Sequence, residues 1–331
     1  MIVPQSPSWT LVPMRLRISG VAAVVISAVL LGWSGATTVQ ATGPDGEGRA
    51  APKVSRLVAV GDIACDPTSP YINTRGQCQQ ARTGSLVRKM VRRGADNFVT
   101  LGDAQYEYGR YRAFMAEFNP AFRAVRPVTW AVAGNHEYYT KNARGHFRYW
   151  GKHAGTRKKP WRTFTPVPGW RVVLLDSNCE YVGGCGPKSR QGKWLRHMLA
   201  NNSRTCTVAM WHHPLQTSGE YAGNVDTQAR ARKLWKMANA GGVDLVLNGH
   251  DHIYERFAKR SDIQQFVVGT GGKNHYDITT KAPGSKKRIN DRYGVLRLDL
   301  ASNGTYRHAF VTVSGNVLDT GKVNCTNEPA A

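Results

Sequence analysis

Five short polar strings interrupt this chain, and each follows directly on an apolar run. They are Gly61-Asp62, Gly102-Asp103-Ala104-Gln105-Tyr106, Gly134-Asn135-His136-Glu137, His212-His213-Pro214 and Gly249-His250-Asp251-His252. The runs before them, at 57–60, 97–101, 128–132, 205–211 and 243–247, have the length and composition of buried strands. Helical periods at 80–91, 111–118, 189–200 and 227–240 alternate with them. Further strands are predicted at 172–175, 264–268, 294–300 and 305–313, with few helical signals between the later ones. The pattern predicts a mixed, layered α/β domain over 55–313 whose second half tends toward antiparallel sheet. Open sheets gather binding residues where strands end, because the loops converge at that edge.

The ends of the chain read differently. Arg15 and Arg17 precede an apolar run at 18–31, and small residues ending in Val39-Gln40-Ala41 follow. The run is shorter than the ~20 residues a bilayer span needs, so 1–41 is expected to be a secretory signal and the product to be secreted or extracytoplasmic, with no stable membrane span after processing. Residues 42–54 read as a linker and 314–331 as a C-terminal tail. All six cysteines lie beyond the signal, which suits an oxidising compartment. Cys65–Cys78 and Cys179–Cys185 would each close a local loop, and Cys206–Cys325 would tie the tail to the body.

Lys and Arg number 45 against 22 Asp and Glu, a formal charge of +23. Such a surface attracts phosphorylated small molecules or anionic polymers. The densest clusters, Arg157-Lys158-Lys159 and Lys286-Lys287-Arg288, lack interleaved aromatics, so no dedicated nucleic-acid-binding motif is present.

Carboxylates, an amide, a phenol and imidazoles together suit two adjacent hard or borderline cations better than a packed core. Asp62 would be one metal's terminal carboxylate, and Asp103 can bridge two cations. Tyr106, three residues on, can reach the same ion, and as a phenolate it favours a trivalent one. Asn135 offers a neutral oxygen. His136 is placed to meet substrate as proton donor, with Glu137 orienting it from behind. His212 is favoured as a ligand and His213 as a contact to a ligand or to phosphate. His250 and His252 can face one side while Asp251 points away. His146, His153, His197, His275 and His308 have no comparable setting and read as polar or surface histidines.

Taken together, the strings GDIA, GDAQY, GNHE, VAMWHHP and GHDH resemble the calcineurin-like metallophosphoesterase superfamily, and within it the purple acid phosphatases. That group's pattern is GD-x-G, GD-x-x-Y, GNH-[E/D], V-x-x-H and GH-x-H. The resemblance covers roughly residues 55–313 and narrows to the purple subgroup at Tyr106. It implies a four-layer α/β/β/α sandwich with mixed sheets, in a compact form. It implies two metal ions. Fe3+ is expected among Asp62, Asp103, Tyr106 and His252, and Fe2+, Zn2+ or Mn2+ among Asp103, Asn135, His212 and His250. It implies broad phosphomonoester hydrolysis by hydroxide that the cations make available near neutral pH. Two departures stand out. Ala64 replaces the usual Gly, and one extra residue separates Val208 from His212, which leaves the choice between His212 and His213 open. Phosphodiester hydrolysis and non-catalytic binding of phosphate or polyanion are the alternatives.

Overall fold

Alternation of side chains along the strands decides how this domain is layered. A computed structural model describes residues 51–66, 68–69, 78–202 and 206–325. The signal expected at 1–41, and most of the linker at 42–54, lie outside the described residues. In strand Cys206–Met210, Val208 and Met210 join one apolar cluster and Ala209 joins another. In strand Trp170–Leu174, Trp170, Val172 and Leu174 take the first side and Val173 the second. A period of two therefore buries both faces of this sheet.

The first sheet has the order β13-β12-β11-β1-β2-β3. Its strands are β1 (Val54–Val60), β2 (Asn97–Leu101), β3 (Thr129–Val132), β11 (Gly294–Ala301), β12 (Thr305–Thr312) and β13 (Val317–Asn324). The second has the order β10-β8-β9-β7-β6-β5-β4. It contains β4 (Arg162–Phe164), β5 (Trp170–Leu174), β6 (Cys206–Met210), β7 (Leu245–Asn248), β8 (Tyr254–Phe257), β9 (Gln264–Val268) and β10 (Ser285–Ile289). Strands β1, β2 and β3 run parallel, as do β5, β6, β7 and β9. The late pairs β11–β12 and β12–β13 are antiparallel, as expected.

Helices cover the outer faces. The helices are α1 (Gln80–Arg92), α2 (Tyr111–Ala113), α3 (Asn119–Phe122), α4 (Asn135–Tyr138), α5 (Arg144–Trp150), α6 (Arg190–Ala200) and α7 (Val225–Ala240). On the second sheet, Leu195 and Leu199 of α6 and Leu234 of α7 pack with Val173, Ala209 and Val246. On the first, Phe98 of β2 stacks on Phe122 of α3 at 5.7 Å, beside Leu86 and Val87 of α1. The result is an α/β sandwich of two mixed sheets. Ser189 and Asn224 start α6 and α7 by accepting from the backbone N–H of Gly192 and Thr227.

Three features differ from the sequence expectation. The helix expected to stop at Asn119-Pro120 runs on, through a π-helical turn at Phe114–Phe118 into α3. Pro120 is the second residue of α3, directly after the π-helical turn. The segment expected as a tail contributes β13, hydrogen-bonded along β12. His146 and His308, read as polar or surface residues, are buried. All six cysteines pair as Cys65–Cys78, Cys179–Cys185 and Cys206–Cys325.

Candidate metal centre

The five strings converge where strands of both sheets end. Asp62 follows β1, Asp103 follows β2 and Asn135 opens α4 after β3, while His212 follows β6 and His250 and His252 follow β7. Asp62, Asp103 and His250 hold left-handed backbone, with φ of 60°, 46° and 74°. Such residues turn the chain back sharply and cluster at functional sites. Glycines permit the close approach. A Cβ on Gly102 would lie 2.4 Å from His212 Nδ1, and one on Gly134 would lie 2.1 Å from Asp103 Oδ1.

Two groups of donor atoms share one oxygen. In the first, Tyr106 Oη lies 2.8 Å from Asp62 Oδ1, 3.1 Å from Asp103 Oδ2 and 2.9 Å from His252 Nε2. In the second, His212 Nε2 lies 3.1 Å from Asn135 Oδ1, 3.2 Å from His250 Nδ1 and 3.3 Å from Asp103 Oδ2. Asp103 Oδ2 belongs to both. Its other oxygen accepts the His136 backbone N–H at 2.9 Å. Asp62 divides its oxygens in the same way, with Oδ2 accepting from the His250 backbone N–H at 2.9 Å.

Backbone carbonyls set the histidines. His212 Nδ1 donates to Leu101 O at 2.8 Å, and His252 Nδ1 donates to Asn274 O at 2.7 Å. In each ring Nδ1 is thereby spent on the backbone and Nε2 faces the centre. His250 is held the other way round, with Nε2 at 3.2 Å from Thr227 Oγ1 and Nδ1 inward.

Lone pairs therefore converge with few protons among them, an arrangement that cations relieve. Without cations, a proton partly fills that role. Burial depresses His212, but Asp103 outweighs it and pushes the imidazole up to about 9. Burial raises Asp103, yet attraction to His212 and His136 leaves its carboxyl below the usual range. Burial, then Asp103 and Asp62, push the Tyr106 phenol far up, so only a strong Lewis acid would ionise it. The donor set fits a pair of hard or borderline cations. Asp103, His212 and His250 bring one ligand atom each within 4.8 Å of one another. Cys206, Asp244 and Cys325 also lie close together, but the two cysteines are joined as a disulfide.

His136, like its neighbour Asn135, is half-buried, 20% exposed where His212 and His252 are enclosed. Its Nδ1 donates to Glu107 O at 2.6 Å, and its Nε2 is 3.9 Å from Asp103 Oδ2. Glu137 does not orient it. Both Glu137 oxygens are spent on backbone N–H groups, those of Gly134 at 2.7 Å, Asp103 at 2.9 Å and Gln105 at 3.3 Å. His213 sits behind the candidate ligands. Its ring lies 4.4 Å from that of His250 and its Nδ1 meets Ser177 Oγ at 2.7 Å. His213 is itself buried, and its contacts are to His250 and Ser177.

Some participants carry no motif. Tyr221 lies against His250 at 4.0 Å, and Tyr276 stacks on His252 at 3.9 Å. Buried Lys273 pairs with Glu107 and stands 4.9 Å over the Tyr106 ring. The Gly-Glu-Tyr-Ala-Gly loop at 219–223 was the one available hint, a mobile-looking composition around an aromatic residue.

A two-sheet sandwich with such a donor set at its strand ends is the architecture of a metal-dependent phosphoesterase. The family model for calcineurin-like phosphoesterases matches residues 55–254, and the chain belongs to that family, related within it to the purple acid phosphatases. It is 26% identical over 242 residues to tartrate-resistant acid phosphatase type 5 of Mus musculus, covering 65% of this chain and 72% of that protein. Its fold is similar to the purple acid phosphatase PPD1 of yellow lupin, with a TM-score of 0.69 at 15% identity. That match covers 82% of this chain and 54% of the lupin chain. A dimetal phosphatase from Danio rerio has a TM-score of 0.58 at 15% identity, covering 82% and 99% of the two chains.

Proposed function

We propose that this chain is an exported hydrolase of phosphate monoesters with broad specificity. The observation that carries the reading is the Asp103 carboxylate, whose one free oxygen faces both donor groups. Asp62, Asp103, Tyr106 and His252 would hold the first cation, with the phenol favouring Fe3+. Asp103, Asn135, His212 and His250 would hold the second, as Fe2+, Zn2+ or Mn2+. Such a pair, when bound, withdraws charge from phosphoryl oxygens and lowers the pKa of water.

The remaining chemistry belongs to the side chains. His136 Nδ1 stays committed to Glu107 O, so a proton delivered to a leaving oxygen must come from Nε2 of the imidazolium. Asp103 Oδ2 lies 3.9 Å from that Nε2. Pairing with Glu107 holds the ring while the proton moves. His213 buttresses His250. The three disulfides support export into an oxidising compartment, and among the described residues no helix is long and apolar enough to cross a membrane.

The test couples metal analysis of the purified protein to parallel assays on an aryl phosphate and a bis-aryl phosphate. Two ions per chain and faster monoester turnover are expected. Faster diester turnover overturns the monoester assignment, and loaded protein active on neither leaves only a binding role.

A further inference from the structure

Beside the candidate metal centre lies a cleft of about 790 Å³ lined by Arg110, Arg112, Lys141, Arg144, Arg148 and Arg157. None of its lining residues is acidic. None of these six cations forms an ion pair among the described residues, and all six are exposed. Elsewhere Arg230 is neutralised by Glu180 and Arg256 by Asp319. Six unpaired cations around one concavity repel each other, and an anion is what relieves that.

The cleft is shaped rather than incidental. Arg148 lies over the Tyr111 ring at 4.0 Å and Arg110 over Tyr108 at 4.7 Å, which fixes two guanidinium groups in place. The turn that presents Lys141 and Arg144 holds Asn142 and Ala143 at φ of 53° and 49°. An alanine in left-handed backbone is strained, and such strain collects at binding sites. The cleft also joins the centre. Tyr139 lines it and touches the ring of His136 at 4.9 Å, and His136 in turn rests on Tyr106 at 4.3 Å.

Resting on the monoesterase reading, we infer that this cleft binds a second phosphate on the leaving group, so that the preferred substrates are small multiply phosphorylated molecules. A leaving group departing past His136 enters the cleft along Tyr139. The volume falls within the ~300–1,000 Å³ of small-molecule sites. Arginine forks match phosphate oxygens two at a time, which a hydroxyl or a phenyl leaving group cannot exploit.

The experiment compares kcat/KM for a hexose bisphosphate, its monophosphate and phenyl phosphate. Wild-type protein should prefer the bisphosphate on the order of tenfold or more, as expected for two or more charge-assisted contacts. In Arg144→Gln combined with Arg148→Gln that ratio should fall toward one, through KM. Arg196→Gln combined with Arg232→Gln, on α6 and α7, removes the same charge elsewhere and should keep the ratio. No preference in wild type, or equal loss in both double variants, overturns the inference. A larger loss on a 5′-phosphorylated dinucleotide than on the bisphosphate also overturns it, in favour of nucleic acid. Should no phosphate be turned over, the hydrolase reading fails by itself. The cleft is then judged by titration calorimetry with the same bisphosphate, where equal binding by wild type and Arg144→Gln/Arg148→Gln sinks it.

Discussion

Glu137 offers the sharpest test of how this centre is held. Its Oε2 accepts from Gly134 N at 2.7 Å and Asp103 N at 2.9 Å, and its Oε1 accepts from Gln105 N at 3.3 Å. One buried side chain thus clamps the loop after β2 to the loop after β3. Glu137→Ala leaves three buried N–H groups without an acceptor, at about 1–3 kcal/mol each, so a loss of about 3–9 kcal/mol is expected. Glu137→Gln can put its amide oxygen where Oε2 was and keep the two short bonds. It gives up the 3.3 Å contact alone, for about 1 kcal/mol. Protonation adds a signature. Burial, then the Asp103 charge, push Glu137 up to about 8, against the pull of its N–H donors. A carboxyl raised in the folded state contributes stability that is full below its unfolded value near 4.5 and is lost as pH rises toward about 8. Glu137→Gln, which cannot titrate, should flatten that part of the profile. Urea unfolding across this pH range, with turnover measured in parallel, reads both effects. Equal destabilisation by the two substitutions, or Glu137→Ala within 1 kcal/mol of wild type, would refute the clamp.

Other outcomes follow from the same geometry. Tyr106→Phe should abolish a visible charge-transfer band in iron-loaded protein, and an unchanged spectrum would show that the phenol is no ligand. His136→Ala should keep both metals and lose about 10²–10⁴-fold in turnover, the range of a general acid, and wild-type rates would remove it from the mechanism. Burial holds His146 down at about 3, so its unfolded form takes up a proton first as pH falls below 6.5. Stability should therefore drop by about 2–3 kcal/mol between neutral pH and pH 4.5 on this account, and His146→Phe should lose that part of the acid sensitivity. Chelation should lower the unfolding free energy, and with it the midpoint, by an amount that grows with the metal concentration removed, about 2.7 kcal/mol for a hundredfold excess over Kd. A midpoint indifferent to chelation would mean that the donor cluster is not closed by metal.

Much of this was written in the sequence because ligands need particular atoms and glycines need particular space. Gly102 is visible as a residue, and its reason is the His212 ring that a Cβ would strike. What fixes the ring tautomers was not visible. Leu101, Glu107 and Asn274 contribute carbonyl oxygens, which every residue type has. The aromatic walls at Tyr221 and Tyr276 come from loops whose path only the folded chain defines. Edge strands were hidden for a different reason. In β13 nearly every other residue is exposed and the rest are half-buried, so no apolar signal marks it. Glu137 was assigned to its sequence neighbour His136, when its partners are backbone groups up to 34 residues away.

The choice between His212 and His213 was, by contrast, decidable from alternation. Val208 and Met210 face the space between the sheets, whereas Ala209 and Trp211 face the helices. Continuing the count sends His212 toward the edge where Asp62, Asp103 and Asn135 leave the first sheet, and His213 toward Ser177. The same count fails after β7. Leu245 and Leu247 face between the sheets and Val246 faces the helices, which would turn residue 251 inward. Instead Asp251 turns away, accepting from the backbone N–H groups of Glu220 and Tyr221, while His250 and His252 face the centre. The left-handed backbone at His250 is what breaks the parity, and it brings two imidazoles to two donor groups from one short loop. His250 and His252 share one face in extended backbone, but the unbroken count from β7 would turn that face toward the helices with Val246, so a centre that needs both requires a break in parity between strand and loop.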